Sequence, residues 1–182
     1  MNPTYDSRTV FLHWLSAALV LGLWIVGQCI DFFPKGAPRV TVRSLHITLG
    51  VLLLVAVALR LVWRRSGGVK LAPADPGVAG KLAVGVHHLL YALLIALLAL
   101  GLASVWFRGD NIFNLFTVPA FDPGNKALAH NTVELHGLLA NILLAMAGLH
   151  AAAALWHHWS LKDGVLARMW PGLALRSGPP KN

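Results

Sequence analysis

Long apolar runs separated by short polar segments dominate this sequence. The apolar runs cover residues 9–29, 46–63, 85–106 and 136–156. Each is long enough for a helix to cross the hydrocarbon core of a bilayer, which needs about 20 residues. The pattern therefore predicts an all-α fold, a bundle of four membrane-spanning helices.

The segments between these runs are polar and rich in proline and glycine, which indicates loops. They cover residues 30–44, 66–77 and 107–132. Ser44 stands just before the second apolar run, where a serine can cap a helix. The segment from Pro171 onward is short and basic. We therefore expect one bundle domain over residues 1–170 and a short basic tail over 171–182.

Composition agrees with a membrane protein, because 57% of the residues are hydrophobic and only 12% are charged. Such values lie outside the usual range of soluble domains. The single cysteine, Cys29, excludes an internal disulfide, and the sequence contains no CxxCH motif for covalent haem attachment.

The formal net charge of +8 is explained by orientation in the membrane. With four spans, both termini lie on the same side as the loop over residues 66–77. This side carries ten of the fifteen lysines and arginines: Arg8, Arg60, Arg64, Arg65, Lys70, Lys81, Lys162, Arg168, Arg176 and Lys181. The positive-inside rule places both termini in the cytoplasm, and the basic excess requires no nucleic-acid partner.

Histidines occur at two depths of the predicted bundle. His136 and His150 are fourteen residues apart, so they face the same side of one helix at levels roughly 21 Å apart. By depth, His46 matches His136 near the outer face, and His13 matches His150 near the inner face. Two opposed imidazoles at each level suit a flat group ligated on both sides, as in bis-histidine haem b. A proton relay and a zinc site are the alternatives.

Other residues near these histidines have two interpretations each. Arg60 follows His46 by fourteen positions and either pairs with a haem propionate or extends its charge to the membrane surface. Gly50, Gly137 and Gly148 either leave space for a haem or let helix backbones touch.

Three segments of the chain resemble the prokaryotic cytochrome b561 family, and the resemblance covers about residues 5–170. They are HW at 13–14, RSLHITLG around His46 and LHGLLANILLAMAGLHAAAALWHHW in the last helix. The resemblance implies two non-covalent haem b groups in a bacterial inner-membrane protein. It also implies that His13 and His150 ligate the inner haem iron, and His46 and His136 the outer one.

Stand-alone members of this family pass electrons between the outer face and the ubiquinone pool, and one type is a superoxide oxidase. The resemblance therefore implies an oxidoreductase that takes electrons from a periplasmic donor such as superoxide and reduces ubiquinone. Its partners would be membrane lipid, the quinone pool and that donor. An alternative is a relay subunit that docks a separate periplasmic oxidoreductase, and a third is a haem-free transporter.

Polar residues at the two faces are candidates for substrate contacts. A quinone site at the inner face would need groups that bind a quinone oxygen and deliver protons. The candidates are Arg8, Lys81, His87, His157 and His158, which could instead be anchors at the membrane interface. At the outer face, superoxide could be steered by the basic residues Lys35, Arg39, Arg43, Arg108 and Lys126.

Overall fold

The computed structural model describes residues 4–72, 74–75 and 77–173. In these ranges the chain forms four long helices, which are α1 (Ser7–Cys29), α2 (Ala37–Ser66), α3 (Val78–Arg108) and α4 (Lys126–Trp156). All are long and apolar enough to cross a membrane. The predicted all-α, four-helix membrane bundle is therefore confirmed, while its orientation and domain limits stay predictions. Of the predicted tail, Pro171–Leu173 form a 3₁₀ turn, and the remainder lies outside the described residues.

The second helix begins nine residues before its apolar run, so the prediction that Ser44 caps it is wrong. The helix starts at Ala37 after Gly36, with Pro38 in its first turn, where no backbone N–H is needed. Ser44 is instead buried inside α2. Its hydroxyl donates to the Val40 carbonyl at 2.7 Å and accepts from the Phe113 N–H at 2.8 Å.

The predicted loop over residues 107–132 is also shorter, because α4 begins at Lys126. Asn125 caps this helix by accepting from the Leu128 N–H at 2.9 Å. Between α3 and α4, the strands β1 (Asn111–Ile112) and β2 (Phe116–Thr117) pair antiparallel. The hairpin is held on α2 through the contact of Phe113 with Ser44, so it lies at the outer end of the bundle.

The bundle consists of two helix pairs. The helices α1 and α2 pack closely along each other, as do α3 and α4, and the contacts between the two pairs are fewer. The pairs meet through a buried aliphatic core of Leu23, Leu53, Val57, Leu94, Leu98 and Leu143. On α2 and α4 these residues lie between the outer and the inner polar positions of the sequence. The core therefore separates two levels at which the helix pairs face each other.

The chain after α4 folds back under the inner end of the bundle. A π-helical turn, His157–Leu161, ends the helix. The following segment contacts α1, where the Trp14 indole donates to the Met169 carbonyl at 2.9 Å and the Tyr5 N–H to the Arg168 carbonyl at 3.1 Å. The Arg168 side chain also donates to the Ala72 carbonyl at 2.8 Å, which ties the inner loop to the same segment.

Candidate functional site

The outer histidine pair lies across the boundary between the two helix pairs. His46 of α2 and His136 of α4 have ring centroids 6.2 Å apart. A nitrogen of an imidazole binds a metal such as zinc at about 2.0 to 2.1 Å. Two imidazoles on opposite sides of one metal ion would therefore have centroids roughly 6 Å apart, by this bond length and the size of the ring. The spacing of the pair fits a shared metal ion.

Hydrogen bonding at the outer pair also suits metal ligation. The Nδ1 atom of His136 lies 3.1 Å from the Leu97 carbonyl oxygen, which can only accept, so Nδ1 donates and the lone pair of the other nitrogen is available. Metal-ligating histidines commonly make such a bond. The Nδ1 atom of His46 is buried and makes no hydrogen bond of good geometry in the described part of the chain, although the Leu23 backbone of α1 lies close to the ring.

Two glycines that sequence reasoning missed lie against these imidazoles. A Cβ atom on Gly27 of α1 would be 3.3 Å from Cε1 of His46, and one on Gly101 of α3 would be 3.2 Å from Cε1 of His136. Each ring therefore packs on a glycine of its own helix pair. The signal in the sequence was weak, since neither glycine is next to a histidine in the chain.

The three glycines named from the sequence differ in their surroundings from Gly27 and Gly101. A Cβ atom on Gly50, Gly137 or Gly148 would meet nothing within 4 Å. This speaks against close contact between helix backbones at these glycines, and Gly50 and Gly137 line a cavity.

A cavity of about 240 Å³ opens beside the outer pair. Its walls are mainly aliphatic, and they include His46, His136, Gly50 and Gly137. Its polar side chains include Gln28, Arg43, Ser104 and Arg108. By its chemistry, a mainly apolar lining with two histidines and two arginines suits a hydrophobic group that carries carboxylates, as haem b does.

Of the five basic residues predicted at the outer face, the structure brings two together. Arg43 and Arg108 share the buried carboxylate of Asp110, at 3.5 Å from Arg43 Nη1 and at 2.5 Å from Arg108 Nη2. Arg39 instead pairs with Asp31 at 3.1 Å. Lys35 and Lys126 are exposed.

The inner level contains the predicted pair and a third imidazole. His13 of α1 and His150 of α4 have ring centroids 6.5 Å apart, a spacing close to that of the outer pair. His87 of α3 lies nearer, with its ring centroid 5.1 Å from that of His150. The sequence placed His87 only among candidate quinone contacts, and the structure brings it to the level of the inner pair.

Arg60 contacts the inner pair directly. Its Nη2 donates to Nδ1 of His13 at 2.9 Å, and its guanidinium lies over the Tyr91 ring at 5.2 Å. A guanidinium only donates, so Nδ1 of His13 accepts and the proton of that ring is on the other nitrogen. Ligation through that nitrogen requires its proton to shift to Nδ1, which breaks the contact with Arg60. The inner pair therefore fits by spacing but not by hydrogen bonding.

The five candidate quinone contacts are dispersed along the inner face. The Arg8 guanidinium lies 4.6 Å from the Trp63 ring centre, in a groove between α1 and α2, and Lys81 is exposed in α3. His157 pairs with Asp163, and His158 has a buried Nδ1 with no partner in the described ranges. Where the structure describes the chain, no hydrogen bond or ring contact joins these five residues to one another. A shared quinone site stays a prediction.

The zinc alternative finds no support in the described residues. In residues 4–72, 74–75 and 77–173, no group of three or more His, Cys, Asp or Glu side chains is arranged to hold a metal ion. Zinc prefers four such ligands converging on one point, whereas in the described residues the outer level brings two histidines together and the inner level three.

Comparison with known proteins shows the family of the chain. Residues 4–172 match the family model described as prokaryotic cytochrome b561. A protein named probable superoxide oxidase CybB, from Yersinia pestis, is 34% identical over 175 residues, which are 94% of this chain and 98% of the relative. Cytochrome b561 homolog 1 of Escherichia coli K12 is 29% identical, covering 92% of this chain and 97% of the relative. Cytochrome b562 of Cereibacter sphaeroides is 31% identical, covering 92% and 96%.

These matches extend over nearly all of the chain, through the four helices and the segments that connect them. The chain belongs to the prokaryotic cytochrome b561 family and is a multi-pass, haem b-binding electron-transfer protein of the bacterial inner membrane.

Proposed function

We propose that the chain binds two haem b groups, one at each level, and passes electrons from superoxide at the outer face to ubiquinone at the inner face. The observation that carries this proposal is the pair of opposed imidazoles at each level, with ring centroids 6.2 and 6.5 Å apart. His46 and His136 would hold the outer haem, and His13 and His150 the inner haem. Each haem iron supplies reversible one-electron transfer.

The protein's part in this reaction is to hold the two groups at fixed depths. His136 and His150 are on one face of α4, at levels roughly 21 Å apart by the rise of an α-helix. His136 is oriented by its bond to the Leu97 carbonyl, and His46 by its packing on Gly27. Arg60 is the residue beside the inner level that can pair with a haem carboxylate once it has left His13.

Superoxide and ubiquinone suit the two faces chemically. Two superoxide ions would each lose one electron to become dioxygen, and one ubiquinone would take up these two electrons with two protons to become ubiquinol. The outer level carries Arg43 and Arg108, which attract a small anion, and the inner face carries histidines, a residue type that can bind a quinone oxygen and transfer a proton. The name of the Yersinia pestis relative supports the choice of donor.

Spectra of purified variants test the haem assignment. His136→Ala should lose the outer haem and His150→Ala the inner one, each keeping about one haem per chain. His130→Ala is the matched control, because His130 is an exposed residue of the same helix, and it should keep both. Two haems per chain in His136→Ala or His150→Ala would show that the assignment is wrong.

A reconstituted assay tests the donor and the acceptor. Xanthine oxidase would generate superoxide outside liposomes that contain the protein and a short-chain ubiquinone, and ubiquinol formation would be followed optically. We expect a rate that superoxide dismutase abolishes. A rate that dismutase does not change would exclude superoxide, and haem reduction only after addition of a periplasmic oxidoreductase would favour the relay subunit.

A further inference from the structure

The outer cavity ends in a three-residue charge cluster whose net charge is positive. Arg43 of α2 and Arg108 of α3 line the cavity together with His46 and His136. Asp110, whose side chain is only 3% exposed, lies between the two arginines. Two guanidinium groups and one carboxylate leave one uncompensated positive charge, which is costly at a partly buried position unless an anion approaches.

The two arginines use their donors unequally. Arg108 binds Asp110 through Nε at 3.1 Å and through Nη2, which leaves part of its donor set for another acceptor. Arg43 reaches Asp110 only at 3.5 Å, and in the described part of the chain its guanidinium forms no hydrogen bond. A guanidinium has five N–H donors. The donors of Arg43 and the second edge of Arg108 can therefore serve a ligand in the cavity.

We propose that Arg43 and Arg108 bind the two carboxylate side chains of the outer haem, and that Asp110 is a positioning residue that fixes both guanidinium groups. This inference rests on the proposed function, in which His46 and His136 ligate that haem. Arginine forms paired, charge-assisted hydrogen bonds with carboxylates. Two carboxylates would also change the net charge of the cluster from +1 to −1. This single negative charge would lie at the outer, water-facing end of the site.

The same arginines could instead only steer superoxide, and the two roles differ in what they change. A steering charge alters the rate at which an anion arrives and depends on salt. A residue that binds the haem carboxylates alters how firmly the haem is held and how stable its reduced form is. Haem release therefore separates the two roles without any measurement of activity, and the midpoint potential shows in addition whether these charges lie close to the outer haem.

The test uses Arg43→Gln, Arg108→Gln and Asp110→Asn in the full-length, haem-loaded protein. Arg39→Gln is the control, because Arg39 lies at the same face but pairs with Asp31 and the Phe33 carbonyl. The first measurement is the rate at which each haem transfers to excess apomyoglobin. A lost hydrogen bond to a charged group costs about 1.5 to 3 kcal/mol. We expect one of the two haems to leave about 10- to 100-fold faster in both arginine variants and at the wild-type rate in Arg39→Gln.

The second measurement is the midpoint potential of each haem by redox titration, with the outer haem identified as the one missing in His136→Ala. Reduction adds a negative charge, so removing a nearby cation should lower the outer midpoint, and removing the Asp110 charge should raise it. A general loss of structure would not give opposite signs. If both glutamine variants keep the wild-type release rates and midpoints, the proposal is overturned. This holds even if their reduction by superoxide is slower, because that result alone would indicate steering.

If the glutamine variants do not fold, Arg43→Lys and Arg108→Lys decide the question, because lysine keeps the charge but not the paired donors. We expect faster haem release with a nearly unchanged midpoint, and unchanged release would overturn the proposal. A wild-type protein without a haem spectrum would refute the proposed function itself. Two intact haems whose release is unchanged in the arginine variants would refute only the inference about Arg43 and Arg108.

Discussion

Gly101 is a position at which a single added methyl group would press on a histidine of the outer pair. In Gly101→Ala, the new Cβ would lie 3.2 Å from Cε1 of His136, a few tenths of an ångström closer than an ordinary contact. The ring would have to move away from α3. Its bond to the Leu97 carbonyl is already 3.1 Å long, so such a movement weakens the contact that orients the ring.

The size of the effect follows from comparison with a glycine of the same helix. A Cβ on Gly85 of α3 would meet nothing within 4 Å, so Gly85→Ala brings only the gain in helix propensity, up to about 1 kcal/mol. Gly101→Ala has the same gain but adds overpacking, which costs about 1 to 3 kcal/mol. We expect Gly101→Ala to be about 1 to 3 kcal/mol less stable than Gly85→Ala.

Thermal unfolding in detergent, followed by the loss of the haem absorbance, measures this difference. Under the proposed function, Gly101→Ala should also change the spectrum of the outer haem selectively, because only His136, its proposed ligand, is displaced. If Gly101→Ala unfolds at the same temperature as Gly85→Ala and has the spectrum of the wild type, then Gly101 does not position His136 and the reasoning is refuted.

Two further predictions concern the ends of the bundle. Ser44→Ala should lower the free energy of unfolding by about 1 to 3 kcal/mol, because the Phe113 N–H loses its acceptor. Thermal unfolding measures this loss, with Ser66→Ala as the control, since it removes only an exposed hydrogen bond within α2. Equal effects of the two substitutions would contradict a stabilising contact between Ser44 and Phe113. Asp6 accepts hydrogen bonds from Thr9, Val69 and Trp63. Burial by itself raises its pKa, but these bonds outweigh burial and hold the pKa well below its usual range. Its stabilising contribution is therefore present above the unfolded-state pKa of about 3.9 and is lost as the pH falls toward the folded value. The melting temperature of Asp6→Asn should depend less on pH between about 5 and 3 than that of the wild type, and parallel curves would refute this role.

The sequence predicted the number of helices and which four histidines lie at matching levels, because both follow from where water is excluded. Hydropathy does not report where a helix ends, however. The first turns of α2 and α4 extend beyond the apolar runs into polar residues, so Ser44 and the start of α4 were misplaced. Hydrogen bonds and caps, such as that of Asn125, fix these boundaries.

Partners across helices were harder to predict than depth. The packing of Gly27 on His46 and of Gly101 on His136 depends on how each helix is rotated about its axis relative to its neighbour. This rotation cannot be read from a single sequence. The approach of His87 to His150 has the same origin. The pairing of His46 with His136 was predictable because two helices at one depth leave few choices of partner.

The aliphatic core between the two histidine levels has a consequence for energy conversion. Leucine and valine side chains neither hold nor relay a proton, so the cluster of Leu23, Leu53, Val57, Leu94, Leu98 and Leu143 offers no path of its own to a hydrogen ion. Under the proposed function, each turnover would move net charge through the bilayer. Its driving force would then change by about 2.3 kcal/mol per electron for every 100 mV of membrane voltage.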